Sequence, residues 1–565
     1  MARQRPFIDM HTHLFNARYL PLHGIFHSFG VPKLLAGGLA KLSNSITGIS
    51  DFGRPDDEDP LDDSVVQSLM SRDPDEIMDS ISRRARYVVR TLEDHAQKSA
   101  DGQERLNELL SGIDDLSEAV GFQSPDRAPL SSRIVRDGIS QKSVFSSGAV
   151  EADELDHTIF EAFRLAGNAV QDEEFLHDAA HLHLHAEAPS NNRALKAVFG
   201  LEDRQVGGLS QILLFVAVMV LSERARYRVL QIDYSRGKPS NGLDASHYVA
   251  LLMDMQEPYA EVLGRNFMRP HFEFKVQMER MGKLAATTGG RLLSFGAVDP
   301  FRTDWREYVT HGVNHGASGF KIYPPMGVRP FDDRTYRTPV SDAAEQEYRD
   351  RAEKPTPSAH AQDAMADIIP YFARNQLRLF AHCTPVGFQA QAGYGVYSDP
   401  SLWRRGIEEA NADNIWLFLG HGGGTTDIDW NGWASRTEDE FMNTFAYAAV
   451  RLAQDYDNVY LGLGYIFDIL EEYDADSYDR FTTRLASLIL QDKPANAKHH
   501  IREKLCYGTD WSMPNAIGRT RGYLEAFYEF FDRLEDDHGA PASYASNFFE
   551  GNARRFLGLP SVPLV

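Results

Sequence analysis

Phe7-Ile8-Asp9-Met10-His11-Thr12-His13, close to the start of the chain, reads as a short buried strand, Phe7 to Met10, ending in two histidines two residues apart. Strand side chains alternate between faces, so the pattern predicts Asp9, His11 and His13 on one side. Two imidazoles presented from one rigid strand end make half of a metal site. An isolated His-x-His is more often only a hydrogen-bonded pair, so its meaning depends on what other strand ends deliver.

From residue 206 onward the chain takes on a regular rhythm. Apolar segments at 248–253, 291–298, 319–323, 377–382, 415–421, 458–463 and 504–510 read as strands. Helical spacing is read at 207–228, 274–288, 305–315, 364–375, 401–410, 438–454, 478–490 and 521–536. Short apolar strands alternating with helices predict right-handed βαβ units and a parallel sheet. With residues 7–10 there are eight strands, which predicts an α/β fold of the closed (β/α)8 TIM barrel type. No glycine-rich phosphate fingerprint opens a helix after any strand, which argues against a dinucleotide fold. Residues 14–205 break the rhythm and read as a mostly helical insertion near the active-site mouth, leaving 1–13 and 206–565 as the barrel. Within it, His177, His181 and His185 at helical spacing, with His183 between them, read as a packed or solvated helix face.

The totals narrow the function classes. Among 565 residues, Lys+Arg 58 against Asp+Glu 81 gives a net charge of −23, which argues against nucleic acid or an anionic membrane as partner. Two cysteines, Cys383 and Cys506, provide no disulfide framework and suit a reducing compartment. No signal-peptide pattern precedes the first strand, and the most apolar run, 212–221, is half the ~20 residues a spanning helix needs. A cytoplasmic protein with a small-molecule substrate is the expectation; the insertion could equally serve a homo-oligomer interface.

In such barrels the active site lies at the C-terminal ends of the strands. Those ends carry His11 and His13 (first strand), Lys321 (fourth), His382 (fifth), His421 (sixth) and Asp510 (eighth). Each residue alone has an ordinary structural explanation; six ligand-type residues at the correct ends of five strands point to a metal site. Around them, Arg302, Tyr323 and Arg329 in strand-end loops are candidates for substrate binding, the arginines through a bidentate pair with a carboxylate, and Trp511 for lining the pocket or packing on the barrel rim.

The order His-x-His, Lys, His, His, Asp resembles the amidohydrolase superfamily of metal-dependent (β/α)8 hydrolases. The segments Ile8-Asp9-Met10-His11-Thr12-His13, Gly420-His421-Gly422-Gly423 and Tyr507-Gly508-Thr509-Asp510-Trp511 carry the likeness. Gly551-Asn552-Ala553-Arg554-Arg555-Phe556-Leu557-Gly558-Leu559 is similar to the closing helix of the amidohydrolase-related branch, which also contains nonoxidative decarboxylases and lactonases. Gly319-Phe320-Lys321-Ile322-Tyr323-Pro324 resembles the strand-4 lysine segment of dihydroorotases, where CO2 carboxylates the lysine and the product bridges two metal ions. The resemblance implies that His11, His13 and Asp510 bind a first divalent metal, Lys321 bridges, and His382 and His421 bind a second. With Lys321 unmodified it implies one metal on His11, His13, His382 and Asp510, with His421 beside it as acid/base. Zinc suits a His-rich donor set, with manganese the alternative. Asp510 is the expected general base, and the expected reaction is hydrolysis of an amide, lactone or related C–N or C–O bond. A mononuclear decarboxylase of an aromatic or enoic acid is the second reading, and a silent barrel with a partner-binding insertion the third.

Overall fold

The computed structural model describes residues 3, 5–28, 33–47, 81, 107, 110–116, 217–235, 245–263, 270–332, 358–390, 394–424, 432–513 and 516–560. Eight strands form one parallel sheet in sequence order: β1 (Ile8–Thr12), β2 (His247–Leu251), β3 (Leu292–Ala297), β4 (Ala317–Ile322), β5 (Arg378–His382), β6 (Trp416–Gly420), β7 (Val459–Leu463) and β8 (Leu505–Tyr507). Thr12 bridges Trp511 in parallel, the Asp510 N–H donates to the His11 carbonyl at 2.7 Å, and the His13 N–H donates to the Trp511 carbonyl. These bonds join the last strand to the first and close the predicted (β/α)8 barrel.

The inner face is packed by Ile8, Met10, Val249, Leu251, Phe295, Phe380, Phe418, Tyr460 and Cys506. One prediction about this face fails. Asp9 does not share a side with His11 and His13, because the β1–β2 register slips between Asp9 and Thr12. Asp9 pairs with Tyr248 and Thr12 with Ala250, two steps on β2 against three on β1. This extra residue is a bulge, and it shifts the alternation by one. Asp9 is left on the helix-facing side with Ile8 and Met10 inward, while both histidines turn to the barrel axis.

Nine helices named here cover the outside or end of the barrel: α1 (Glu223–Ser235), α2 (Phe274–Thr287), α3 (Trp305–Asn314), α4 (Ala359–Arg374), α5 (Pro400–Glu409), α6 (Phe445–Asp455), α7 (Ala475–Leu490), α8 (Thr520–His538) and α9 (Asn552–Leu557). Their apolar stripes set the packing: α8 buries Tyr523, Phe527, Phe531 and Leu534, and ends where Gly539 adopts a left-handed φ of 67°. Two helix predictions are corrected. The helix expected at 438–454 is two, Glu438–Met442 and α6, because the Thr444 side chain accepts from the Tyr447 N–H and starts a new helix. The helix expected at 207–228 is broken before Glu223, where Ser222 Oγ accepts from the Ala225 N–H at 3.3 Å; residues 207–216 lie outside the described residues.

Helix α9 plugs one end of the barrel. Phe556 is fully buried, with its ring 5.2 Å from Phe418 and 5.7 Å from Tyr460. Phe418 is thus held between Phe556 and Phe380, the latter at 4.9 Å. On β7, a Cβ at Gly462 would lie 2.5 Å from the Phe418 ring. Gly462→Ala is therefore expected to lower the unfolding free energy by about 1–3 kcal/mol through overpacking, read as a shifted urea midpoint at unchanged m-value.

The chain separates into two compact units, one of Met1–Leu14, Tyr227–Pro258 and Phe274–Val565, the other of Phe15–Arg226 and Tyr259–Glu273. In the second, the buried Arg18 is fixed by the Asn44 carbonyl at 3.0 Å and His271 at 3.1 Å, and Tyr19 donates to Glu223 at 2.9 Å. The histidines at 177–185 and most of the helical insertion expected at 14–205 lie outside the described residues. Among the described residues no helix is long and apolar enough to cross a membrane.

Candidate metal centre

Five of the six strand-end candidates meet through close contacts at one end of the barrel, and the sixth, His382, joins them through His421. Asp510 Oδ1 lies 2.8 Å from His11 Nε2 and 3.1 Å from His13 Nε2. Lys321 Nζ lies 3.4 Å and 3.3 Å from the same two nitrogens. The His421 ring centroid is 4.7 Å from that of His11 and 4.6 Å from that of His382. All six side chains are buried.

The backbone aims these groups in different ways. Lys321 and His382 follow the ordinary alternation: Lys321 pairs with Phe380, and His382 lies two residues further along β5. His421 does not. It follows Phe418 and Gly420, so simple alternation would send it outward, but its φ of 62° turns the chain at the strand end and its ring stands among the others. Asp510 also sits at a left-handed φ, 65°. Non-glycine residues in this region cost about 1–3 kcal/mol and gather at functional sites.

Hydrogen bonds fix the imidazoles. His13 Nδ1 donates to the Leu251 carbonyl at 3.0 Å, so its Nε2 presents a lone pair toward the Asp510 carboxylate. Two acceptors facing each other at 3.1 Å are what a bound cation resolves. His421 Nδ1 donates to the Gly464 carbonyl at 3.2 Å, leaving its Nε2 as an acceptor. His382 Nε2 donates to the Val386 carbonyl at 2.8 Å, and its buried Nδ1 has no hydrogen-bond partner. One nitrogen anchored to a carbonyl and the other left over is the usual state of a metal-ligating histidine. His11, His13 and Asp510 place their donor atoms within 4.8 Å of one another. The donor set fits a divalent ion of the zinc or manganese kind.

Charge is arranged to match. Burial holds His11 and His13 down to about 4 and His421 to about 3, with the Asp510 charge opposing at each. Burial, with His421 and Lys321 beside it, also keeps His382 well below its usual value. Neutral imidazoles are the form that binds metal. Burial pushes the Asp510 carboxyl up, and His11, His13 and His421, where they carry a proton, pull it the other way, well below the ordinary range. Burial lowers the Lys321 ammonium to about 8 against the pull of Asp510.

The remaining candidates divide. Tyr323 belongs to the cluster: its ring stacks on His382 at 4.3 Å and its hydroxyl accepts from the Phe388 N–H at 3.1 Å. Trp511 is fully buried and donates its indole N–H to Asp233 at 3.1 Å, the rim-packing alternative. Arg302, expected to hold a substrate carboxylate, has its fork on Asp254 at 2.5 and 3.1 Å. Arg329 lies over the Tyr397 ring at 4.7 Å and 3.6 Å from Asp332. Cys383, next to His382, is buried, and burial pushes its thiol well up.

Three groups escaped the sequence reading. Asp9 is a fastener, accepting from the His11 and Thr509 N–H groups at 3.1 and 3.0 Å and from Tyr234 and Thr509 hydroxyls at 2.7 Å each. Burial raises its carboxyl to about 6 against those bonds. Asp233 accepts from Trp511, the Gly518 N–H and Thr520, and so pins the turn after β8. Asp254 neutralises Arg302. An isolated Asp, whether on a helix like Asp233 or in or after a strand like Asp9 and Asp254, carries no signal that separates these roles from a metal ligand.

No family model matches the chain, and no curated protein does. Among solved structures the chain is similar to 2,6-dihydroxybenzoate decarboxylase from Rhizobium, at 12% identity and TM-score 0.31 over 59% of this chain and 87% of that one. It is likewise similar to a candidate amidohydrolase from Staphylococcus aureus, at 11% and 0.32 over 60% and 92%. A third is 5-carboxyvanillate decarboxylase from Sphingomonas paucimobilis, at 12% and 0.30 over 59% and 83%. At that distance the likenesses decide no reaction, and the chemistry of this barrel is read from its own side chains.

Proposed function

We propose that the protein is a metal-dependent amidohydrolase-type enzyme that hydrolyses an amide, lactone or related C–N or C–O bond of a small substrate. The observation that carries this reading is where Lys321 ends: its amine stands 3.3–3.4 Å from Nε2 of both His11 and His13. A fixed ammonium there repels a dication. The neutral amine adds CO2 and loses a proton to become a carbamate, which replaces that repulsion with an anionic ligand. Lys321 in that form, with His11, His13, Asp510, His382 and His421, would hold two divalent ions, zinc by donor type. Bound metal supplies a lowered pKa for water, toward ~7, and polarisation of a substrate carbonyl.

The chain's own groups do the rest. Asp510 accepts the proton of the attacking water through the carboxylate and returns it to the leaving group. His421, held through Nδ1 by the Gly464 carbonyl, is left with Nε2 as the lone pair that would ligate the second ion. Tyr323 keeps His382 in place by stacking. Arg329 and Arg302 bind substrate only by leaving their present partners.

A second reading rests on a different observation: of the six strand-end candidates, His11, His13 and Asp510 are the three described as bringing donor atoms within 4.8 Å of one another, a set for one ion. One ion with an unmodified Lys321 suits a nonoxidative decarboxylase, with the ammonium pairing the substrate carboxylate and His421 as the proton donor.

Metal content per chain separates the readings, measured on protein purified without chelator for wild type and Lys321→Ala. Two ions at the strand-end cluster in wild type, counted apart from any ion held elsewhere on the chain, falling to one or none there in the variant, with a CO2-sized labile mass on Lys321, is the expected result. One ion unaffected by the substitution overturns the binuclear hydrolase and favours the decarboxylase. No metal in either leaves the silent barrel.

A further inference from the structure

We propose that Glu279, His311 and His315 form a second, separate binding site for a divalent transition metal on the outer helical layer, tying α2 to α3. His311 and His315 stand one turn apart at the C-terminal end of α3, their ring centroids 4.2 Å apart at an interplanar angle of 33°. Glu279, on α2, reaches across with Oε1 at 3.2 Å from His311 Nε2 and 4.0 Å from His315 Nε2. Donor atoms of all three side chains lie within 4.8 Å of one another.

The donors are prepared for a cation. His315 Nδ1 donates to the His311 carbonyl at 2.8 Å, so its Nε2 is left as a lone pair. His311 Nε2 is a buried atom with no hydrogen-bond partner, its approach to Glu279 lacking hydrogen-bond geometry. An unpartnered nitrogen, a second free lone pair and a carboxylate oxygen therefore converge with no proton assigned between them. The negative end of the α3 dipole favours a cation at this position. The two helices are also held at fixed spacing, because a Cβ at Gly282, one turn after Glu279, would stand 2.0 Å from the His315 carbonyl oxygen. Residue 282 has no room for a side chain, and the ligands on either side keep their register.

Two imidazoles and one carboxylate suit Zn2+, Co2+, Ni2+ or Cu2+ better than Mg2+ or Ca2+. Side-chain exposures of 21%, 39% and 33% for His311, His315 and Glu279 leave the remaining coordination positions to water. The site is a structural tie with open positions, independent of the barrel's central cluster.

The test is titration of the full chain with Zn2+ against a chromophoric competitor, for wild type, His311→Gln/His315→Gln and Glu279→Gln. Wild type is expected to bind one equivalent more than the double variant. Glu279→Gln is expected to keep that equivalent but weaken it by at least the ~10-fold that loss of an outer-shell partner costs. Zn2+ should raise the thermal midpoint of wild type further than that of the double variant. The comparison holds whether the central cluster binds two ions, one or none, because only the difference between variants is read. Equal equivalents at equal affinity in wild type and double variant overturn the site. So does a double variant that loses the equivalent while Glu279→Gln holds it at full strength.

Discussion

Asp510→Asn is expected to lower kcat/KM by about 10³-fold or more on any substrate the enzyme turns over, with the barrel still folded. The substitution keeps the shape of the side chain but removes the charge that faces His11 and His13 at 2.8 and 3.1 Å. Loss of a positioned general base alone costs about 10²–10⁴-fold, and in the function proposed above the same group also serves as an anionic metal ligand. The loss should fall on kcat and not on KM, since proton transfer is made in the transition state. Metal content should drop in parallel, while near-ultraviolet circular dichroism stays as in wild type. A variant with wild-type kcat and wild-type metal would remove Asp510 from the mechanism.

Phe556→Ala is expected to cost about 3–5 kcal/mol of stability, in the range of buried Phe-to-Ala changes. Phe556 closes one end of the barrel against Phe418 and Tyr460, and inner-face residues of seven strands share a single cluster with it. Its removal leaves a cavity that rigid neighbouring strands cannot fill. Because the chain has two compact units, the effect belongs to the transition of the barrel unit, followed by an intrinsic probe such as Trp403 or Trp416 fluorescence in urea. The catalytic groups lie at the opposite, C-terminal strand ends, so kcat below the unfolding transition should change little. An unchanged midpoint would mean that α9 is peripheral to the barrel core.

Strand content was legible because parallel strands buried on both faces read as continuous apolar runs, and all eight were found within a few residues. The strand-end cluster was legible for the same reason: the barrel brings strand ends together, and His11, His13, Lys321, His382, His421 and Asp510 each sit at one. Helix ends were read less well where a single threonine or serine side chain competed with helix continuation, at Thr444 and Ser222. The roles of the strand-end aspartates were not legible at all. Asp9, Asp254 and Asp510 look alike in sequence, and they become a fastener, a counter-ion and the carboxylate between His11 and His13 only through which atoms surround them.

The sequence by itself determined the barrel and the identity of the residues at its C-terminal rim, because period-2 and period-3.6 apolar patterns are local and the rim follows from the topology. Tertiary structure alone decided which way those residues point. The bulge between Asp9 and Thr12 and the left-handed turn at His421 each reverse the alternation that strand geometry would impose. Both depend on pairing with neighbouring strands hundreds of residues away in sequence or on the turn that follows, and no local pattern encodes them.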